Sequence, residues 1–284
     1  MMIIVDSGST KADWEIIQPN GDRHLESTMG FNPYFVTSDF IEKELNRDFV
    51  NKVDVNSVDS VYFYGAGCSD PVHCKIVEIG LSRIFKNAKH IVVDHDLLAS
   101  ARACCGTKPG IACIIGTGSN TCLYDGEKIL DNIPALSYLL GDEGSGTHLG
   151  KFLLRAYFYR ELPAEIRDAF VTKYGSDKLA ILNRAYGDAP NVYLASFATF
   201  FSENREHFYI QKMVSEAFEE LVVRHILKYK GVQELPINFV GSIAYHFRDI
   251  LEMTLNAHAL TLGTIIRKPI DALVDYHLKN IDKL

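Results

Sequence analysis

The apolar positions of the first third of the chain fall into short runs separated by small polar residues. Ile3–Val5 and Trp14–Ile17 are two such runs, and Pro19-Asn20-Gly21-Asp22 reads as the turn that follows them. Ile41, Leu45 and Phe49 recur at one-turn spacing and predict a helix with Asp39 as its N-cap and Glu42 closing the capping box. Ser60–Tyr64 is a β-rich run that ends in Gly65-Ala66-Gly67. Asp70-Pro71 is a cap followed by a proline at the first helical position, and Val72, Ile76, Ile84 and Phe85 are the expected apolar face of that helix. His90–Asp94 predicts a further strand and Leu97–Cys105 a further helix.

The pattern then restarts. Gly106-Thr107-Lys108-Pro109-Gly110 breaks the chain, and residues 111–129 again read strand, small-residue turn, strand, with Asp125-Gly126 as the next turn. Residues 146–230 are mostly helical in pattern, and Pro163 and Pro190 mark helix starts. Pro236–Val240 is a strand running into Gly241-Ser242, Ala259–Leu262 is a short strand, and a last helix begins at Pro269. Two strand-led halves predict an α/β fold of two domains, residues 1–105 and 106–284, the last helix being free to return to the first domain.

Composition narrows the function without naming it. Of 284 residues, 47% are hydrophobic and 23% charged, as in ordinary globular proteins, and the net charge of −7 argues against a general nucleic-acid binder. No apolar run is long enough to span a bilayer, and the start lacks a basic leader pattern, so a cytoplasmic protein is expected. The six cysteines form no C-x-x-C pair, which disfavours a zinc or iron–sulfur site and favours small buried thiols.

Four stretches could carry chemistry. The first is Ser7-Gly8-Ser9-Thr10-Lys11, whose successive N–H groups, hydroxyls and ammonium suit a phosphate. It is no P-loop, because the G-x-x-x-x-G-K-[ST] spacing is absent and a strand follows where a helix should. Asp6 beside it would repel a phosphate unless a cation such as Mg²⁺ lay between them. The second, Gly116-Thr117-Gly118-Ser119-Asn120, makes the same offer from the other half. The third is Asp94-His95-Asp96 at the end of an apolar strand, where one acid is expected to cap the next helix and the other to orient a hydroxyl nucleophile. The fourth is Asp142-Glu143, set between glycines, which suits contacts to neighbouring sugar hydroxyls. Gly30-Phe31-Asn32-Pro33 offers an amide near a turn, and no histidines show metal-ligand spacing.

In this order, Asp6 to Lys11, then Asp96, then Gly116 to Asn120, then Gly141-Asp142-Glu143-Gly144-Ser145, the chain resembles the N-acetylglucosamine kinase branch of the sugar kinase, heat-shock chaperone and actin superfamily. The resemblance implies two ribonuclease-H-like (actin-like ATPase) domains around a hinged nucleotide cleft. It implies ATP with its phosphates on Ser7, Gly8, Ser9, Thr10, Lys11, Gly116, Thr117, Gly118 and Ser119, and Mg²⁺ held by Asp6. Asp96 is then the catalytic carboxylate facing a sugar 6-hydroxyl. Asn32, Asn120 and Asp142 hold an amino sugar, and Gly241 and Ser242 face adenosine. Two positions depart from the family pattern: a second glycine is replaced by Ser242, and Asp271 stands where the late P-x-x-G-A-L stretch has glycine. The implied activity is an amino-sugar 6-kinase, foremost for N-acetylglucosamine, acting without nucleic acid or membrane and compatible with a homodimer. A kinase for glucosamine or N-acetylmuramic acid, a non-catalytic sugar or nucleotide sensor, and an ATPase that activates a partner enzyme remain open at this point.

Overall fold

The computed structural model describes residues 1–8 and 11–280. The chain divides into two units, Met1–Gly106 with the chain from Pro269 onward, and Thr107–Lys268.

The first unit is a five-stranded sheet. Its strands are β1 (Met2–Ser7), β2 (Ala12–Ile17), β3 (Arg23–Thr28), β4 (Ser60–Gly65) and β5 (His90–His95), in the order β3-β2-β1-β4-β5. β1–β2 and β2–β3 are antiparallel hairpins, while β4 and β5 join in parallel. Parallel neighbours need crossovers, and helices α1 (Ser38–Asp48) and α2 (Pro71–Ile84) supply them. Ile3, Val5, Val61 and Phe63 point into one core with Ile41 and Leu45 of α1 and Val77 and Leu81 of α2. Trp14 sits at its centre, fully buried, with Phe31, Phe49, Phe63 and Phe85 around it at centroid distances of 4.7–6.4 Å. Its indole N–H donates to Thr28 Oγ1 at 2.8 Å, tying β2 to β3.

The alternate residues of β4 face the other side of the sheet. There Tyr64 meets α3 (Asp96–Cys105) and the chain's final helix, Ile270–Lys279. Arg102 Nη1 donates to the Tyr64 hydroxyl at 2.5 Å, and that hydroxyl lies 2.9 Å from His277 Nε2. A guanidinium cannot accept, so Tyr64 accepts from Arg102 and keeps its own proton available to a neutral His277. Burial, aided by the Arg102 charge, pushes His277 down to about 3, which keeps it neutral. Burial pushes Tyr64 up to about 12.

The second unit repeats the sheet. Its strands are β6 (Gly110–Ile115), β7 (Ser119–Tyr124), β8 (Ile129–Asp131), β9 (Pro236–Val240) and β10 (Thr261–Ile266), in the order β10-β9-β6-β7-β8. The first three are antiparallel, and β9 and β10 add in parallel. Counted within each unit, both sheets have strand order 3-2-1-4-5, the ribonuclease-H-like arrangement. Between β8 and β9 the chain inserts α4 (Ser137–Leu140), α5 (Gly146–Phe158), α6 (Ala164–Tyr174), α7 (Lys178–Ala185), α8 (Pro190–Ser196), α9 (Ala198–Glu203) and α10 (Phe208–Arg224). Helices α11 (Ser242–His246) and α12 (Arg248–Ala257) cross from β9 to β10. Phe170, Phe197, Phe200, Phe201 and Phe218 of the insertion join β6 and β9 in one core. No helix among the described residues is long and apolar enough to cross a membrane.

Several local expectations are corrected. Thr37, not Asp39, caps α1, its side chain accepting from the Phe40 N–H. Asp70 does cap α2, with Pro71 at its first position, but the buried face is Val77, Gly80, Leu81 and Ile84, while Val72 is exposed. Strand β3 was not apparent from the pattern because it is an edge strand of mostly exposed polar residues, a composition that discourages further pairing. The last strand starts at Thr261, two positions later than expected, because Ala259 leaves α12 in left-handed backbone (φ 56°). None of the six cysteines is in a disulfide, and Cys113 and Cys122 lie in the core as expected.

His277 makes stability pH-dependent with a definite sign. The unfolded chain binds a proton at this residue below about pH 6.5, whereas the folded protein refuses it until about pH 3. Stability contributed here is therefore full above the unfolded value and is lost as pH falls. Urea unfolding of wild type should show a steeper loss between pH 6.5 and 4 than His277→Gln, which keeps an acceptor but does not titrate; parallel curves would refute this.

Candidate active site

Strand register places the predicted residues of the first unit. Asp6, Tyr64 and Asp94 are partners across β1, β4 and β5, and the next row is Ser7, Gly65 and His95. The three strands thus end together, and the chain leaves all of them at one carboxyl edge, where α/β sheets present their ligand sites. Ser7 is fully buried, and its hydroxyl turns inward to accept from the Phe31 N–H at 3.0 Å. Its carbonyl accepts from Ala66 N–H at 2.8 Å. Ser7 therefore fastens the stretch around Phe31 and the β4 exit to the end of β1. The Gly8 N–H donates to the Lys11 carbonyl at 2.9 Å. Ser9 and Thr10, expected on the phosphates, lie outside the described residues.

Asp6 pairs with Asp13 across the β1–β2 hairpin. Like charges placed opposite each other repel unless a cation intervenes. The Lys11 ammonium lies 2.6 Å from Asp13. A half-buried Asp6 carboxylate at the edge is a suitable single protein ligand for Mg²⁺, which keeps several waters and takes its remaining oxygens from phosphates.

Asp96 opens α3. His95 holds the N-cap position without a side-chain bond, and Asp94 accepts from the His95 N–H at 2.8 Å, so neither acid is the side-chain N-cap of the helix. The Asp96 carboxyl retains some exposure but is densely surrounded by protein. That desolvation raises its pKa above the ordinary carboxylate value, against the opposing pull of His95 and of the N–H groups of Leu97 and Asp96 itself. Asn32 is buried, its Oδ1 accepting from the Tyr34 N–H at 3.0 Å.

The second unit places its candidate residues around the β6–β7 turn. Gly116 N–H donates to the Gly118 carbonyl at 3.0 Å. The carbonyls of Gly116 and Thr117 accept from Gly146 and Thr147 at the start of α5, at 2.9 and 3.0 Å. The first amides of that helix are thereby committed to the turn. No hydrogen bond among the described residues engages the N–H groups of Thr117 or Gly118, and Thr117 is exposed. These are the donors an anion could reach. Ser119 N–H instead donates to Asp142 Oδ1 at 3.2 Å, and Thr147 Oγ1 to Asp142 Oδ2 at 3.2 Å.

Asp142 therefore brackets the turn from behind, which the sequence pattern did not reveal. It is buried and in left-handed backbone (φ 61°), a conformation aspartate tolerates better than most residues. Burial raises its pKa, with the Ser119 and Thr147 bonds and Lys151 opposing. A Cβ on Gly118 would lie 2.8 Å from Asp142 Oδ1, so only glycine leaves room for this contact. Burial would also raise Glu143, but its own N–H and His225, 3.0 Å away, hold it low. Asn120 Oδ1 accepts from Thr121 N–H at 2.9 Å and from Asn132 Nδ2 at 3.0 Å. Asn132 and Thr147 are supporting residues that carried no motif.

Gly241 ends β9 with φ 131°, and a Cβ there would meet the Ile115 carbonyl oxygen at 2.1 Å. Only glycine lets the β9 exit pass this close to the end of β6, which brings Gly241 and Ser242 beside the Gly116 turn. Ser242 is the exposed first residue of α11, where a side chain meets no such limit. Asp271, the other departure from the family pattern, lies in the first turn of the final helix, where a carboxylate is favoured by the helix dipole. Each unit thus gathers its predicted residues at the carboxyl edge of its own sheet.

No family model matches the chain, and no curated protein does. Solved structures do. A protein from Porphyromonas gingivalis, provisionally named an N-acetylglucosamine kinase, is 36% identical with a TM-score of 0.93, covering 99% of this chain and 100% of its own. A second provisionally named N-acetylglucosamine kinase, from Chromobacterium violaceum, is 15% identical with a TM-score of 0.72 over 97% of this chain and 98% of its own. A ROK family glucokinase from Streptomyces griseus, solved with glucose and AMPPNP, shares the fold at 12% identity and a TM-score of 0.55, over 96% of this chain and 97% of its own. On its 36% identity over essentially the full length of the first of these, the chain belongs to the N-acetylglucosamine kinase branch of the sugar kinase, heat-shock chaperone and actin superfamily.

Proposed function

We propose that the protein transfers the γ-phosphoryl group of ATP to the 6-hydroxyl of an amino sugar, with N-acetylglucosamine the leading substrate. The observation that carries the reading is Asp96, a desolvated carboxylate at the sheet edge where β1, β4 and β5 end together. The full-length similarity to the Porphyromonas gingivalis protein agrees with it.

Asp96 accepts a hydrogen bond from the sugar hydroxyl, orients it and takes its proton as the new P–O bond forms. Its raised pKa makes it a better acceptor than an ordinary aspartate, at the cost of needing a higher pH to ionise. The transition state of phosphoryl transfer is loose, so positioning and charge stabilisation matter more than proton removal. The open N–H groups of Thr117 and Gly118 donate to phosphate oxygens. Asp6 holds Mg²⁺, whose charge offsets that of the phosphates when bound. Asn32, Asn120 and Asp142 present polar atoms to the sugar, and Gly241 and Ser242 lie against adenosine.

Asp96→Asn should lower sugar-dependent kcat by about 10²–10⁴-fold, as expected for loss of a general base, while ATP binding persists. The acid limb of the wild-type kcat/KM profile should lie above the ordinary aspartate value of about 4, with activity falling as pH drops through it. The same shift gives the opposite sign for stability. The folded chain keeps this proton to a higher pH than the unfolded one, so stability falls as pH rises through the window above the ordinary value. Asp96→Asn should accordingly raise Tm at pH 7.5. Turnover that survives the substitution, in a coupled ADP-release assay with a panel of amino sugars, would remove Asp96 from its role.

Asp142→Ala should raise KM for the sugar about 10- to 100-fold, the equivalent of one charge-assisted hydrogen bond. It should also lower stability, because the Ser119 N–H loses its acceptor. An unchanged KM for sugar with lowered stability would reduce Asp142 to a support of the turn.

A further inference from the structure

We infer that Tyr34 is the aromatic platform on which the apolar face of the amino sugar rests, and that it sets the affinity for the sugar ring. The inference rests on the reading of the chain as an amino-sugar kinase. Tyr34 and Phe35 are exposed by 59% and 82%, two neighbouring aromatic rings open to water at the carboxyl edge of the first unit's sheet. They follow directly on Asn32, whose stretch is fastened to that edge by the Phe31 bond to Ser7. Gly65 pairs with His95 at the strand ends and Asp96 follows directly, so the same edge also carries the catalytic carboxylate.

Of the two rings, Tyr34 is the one held in place. Its N–H donates to Asn32 Oδ1 at 3.0 Å. Its ring lies on the His73 imidazole with centroids 4.1 Å apart and planes 31° from parallel. His73 Nδ1 is hydrogen-bonded to the Asp70 carboxylate, whose other oxygen accepts from Val72 and His73 N–H at 2.9 and 3.1 Å. The platform is therefore braced on the first turn of α2. Gly67, with φ 84°, lets the β4 exit loop come against both residues: a Cβ there would lie 2.4 Å from Asn32 Oδ1 and 3.0 Å from the Tyr34 ring. Asn32 and Tyr34 thus form one unit, an amide for a sugar hydroxyl beside a ring for the C–H face. The negative face of an aromatic ring attracts such C–H bonds, and a ring fixed before binding loses little entropy when the sugar arrives. Phe35 makes no ring contact among the described residues and lacks this bracing.

The test is calorimetric titration of the full chain with N-acetylglucosamine, for wild type, Tyr34→Ala and Tyr34→Phe, with a non-hydrolysable ATP analogue titrated in parallel. Tyr34→Ala should weaken sugar binding about 3- to 10-fold, the range of a single aromatic contact. Binding of the analogue should not change, and Tyr34→Phe should recover the sugar affinity. In steady state the same loss should appear in KM for the sugar and not in KM for ATP, a split that a general loss of structure would not produce. Equal sugar binding by wild type and Tyr34→Ala overturns the platform alone. A Tyr34→Phe defect as large as that of alanine also overturns it, because the hydroxyl and not the ring would then be the determinant. A wild type that binds no amino sugar overturns the kinase reading and the platform with it.

Discussion

The common end of three parallel strands is the constraint on which the first unit's chemistry depends. Parallel register puts Ser7, Gly65 and His95 in one row, so the chain turns out of β1, β4 and β5 at the same edge. Residues far apart in the sequence become neighbours there: the Gly8 turn, the Gly65–Gly67 loop and Asp96. The buried Ser7 hydroxyl adds the stretch around Asn32 to the same edge. A shift of one residue in either parallel pair would turn the alternate side chains to the opposite face of the sheet. That is costly here, because one face carries the Trp14 cluster and the other the Tyr64–His277–Arg102 network. Core packing thus specifies the register, and the register assembles the edge.

The second unit uses the same sheet with a different fastening. Its β6–β7 turn is held by the first turn of α5 and by the Asp142 carboxylate, which occupy the Gly116 and Thr117 carbonyls and the Ser119 N–H. Among the described residues the Thr117 and Gly118 amides carry no such bond. Asp142 is directed at the turn's inner donor and at Thr147, and its negative charge is partly met by those bonds and by Lys151. Its left-handed backbone and desolvated carboxyl are local costs, of the kind that persist at sites where the surroundings over-determine the geometry.

The repeated strand order shows how one sheet design carries two different sets of edge residues. In both units a hairpin precedes the parallel strands, and in both the first hairpin turn lies at the carboxyl edge. The first unit adds carboxylates to that turn, Asp6 and Asp96. The second adds glycine at the β9 exit, where Ile115 leaves no space for a side chain. The helical insertion of residues 137–224 enlarges the second core with phenylalanines without interrupting the sheet. The final helix joins the first unit through His277, so the end of the chain helps to hold the strand that lies between β1 and β5.

The alternation of apolar runs and small-residue turns determined the two strand-led halves, most strands and the two glycine-rich turns, because these depend on neighbours close in sequence. Asp6, Asp96 and Asp142 stood out for the same reason: acids beside glycine or at a strand end have little use in a core. Tertiary structure decided what each group faces. Ser7 read as a phosphate donor, yet its hydroxyl is turned to Phe31, a partner fixed only when the sheet forms. Asp94 and Asp96 could not be told apart as caps until the start of α3 showed His95 in that position. Strands β3 and β8 leave little mark on the apolar pattern because edge strands pair through backbone and need little apolar sequence. The Tyr34–His73 stack and the Tyr64–His277 contact join residues on different elements, and no local pattern encodes such a meeting. Periodicity reports which way a side chain points along its own element; only the packing of elements says what it meets.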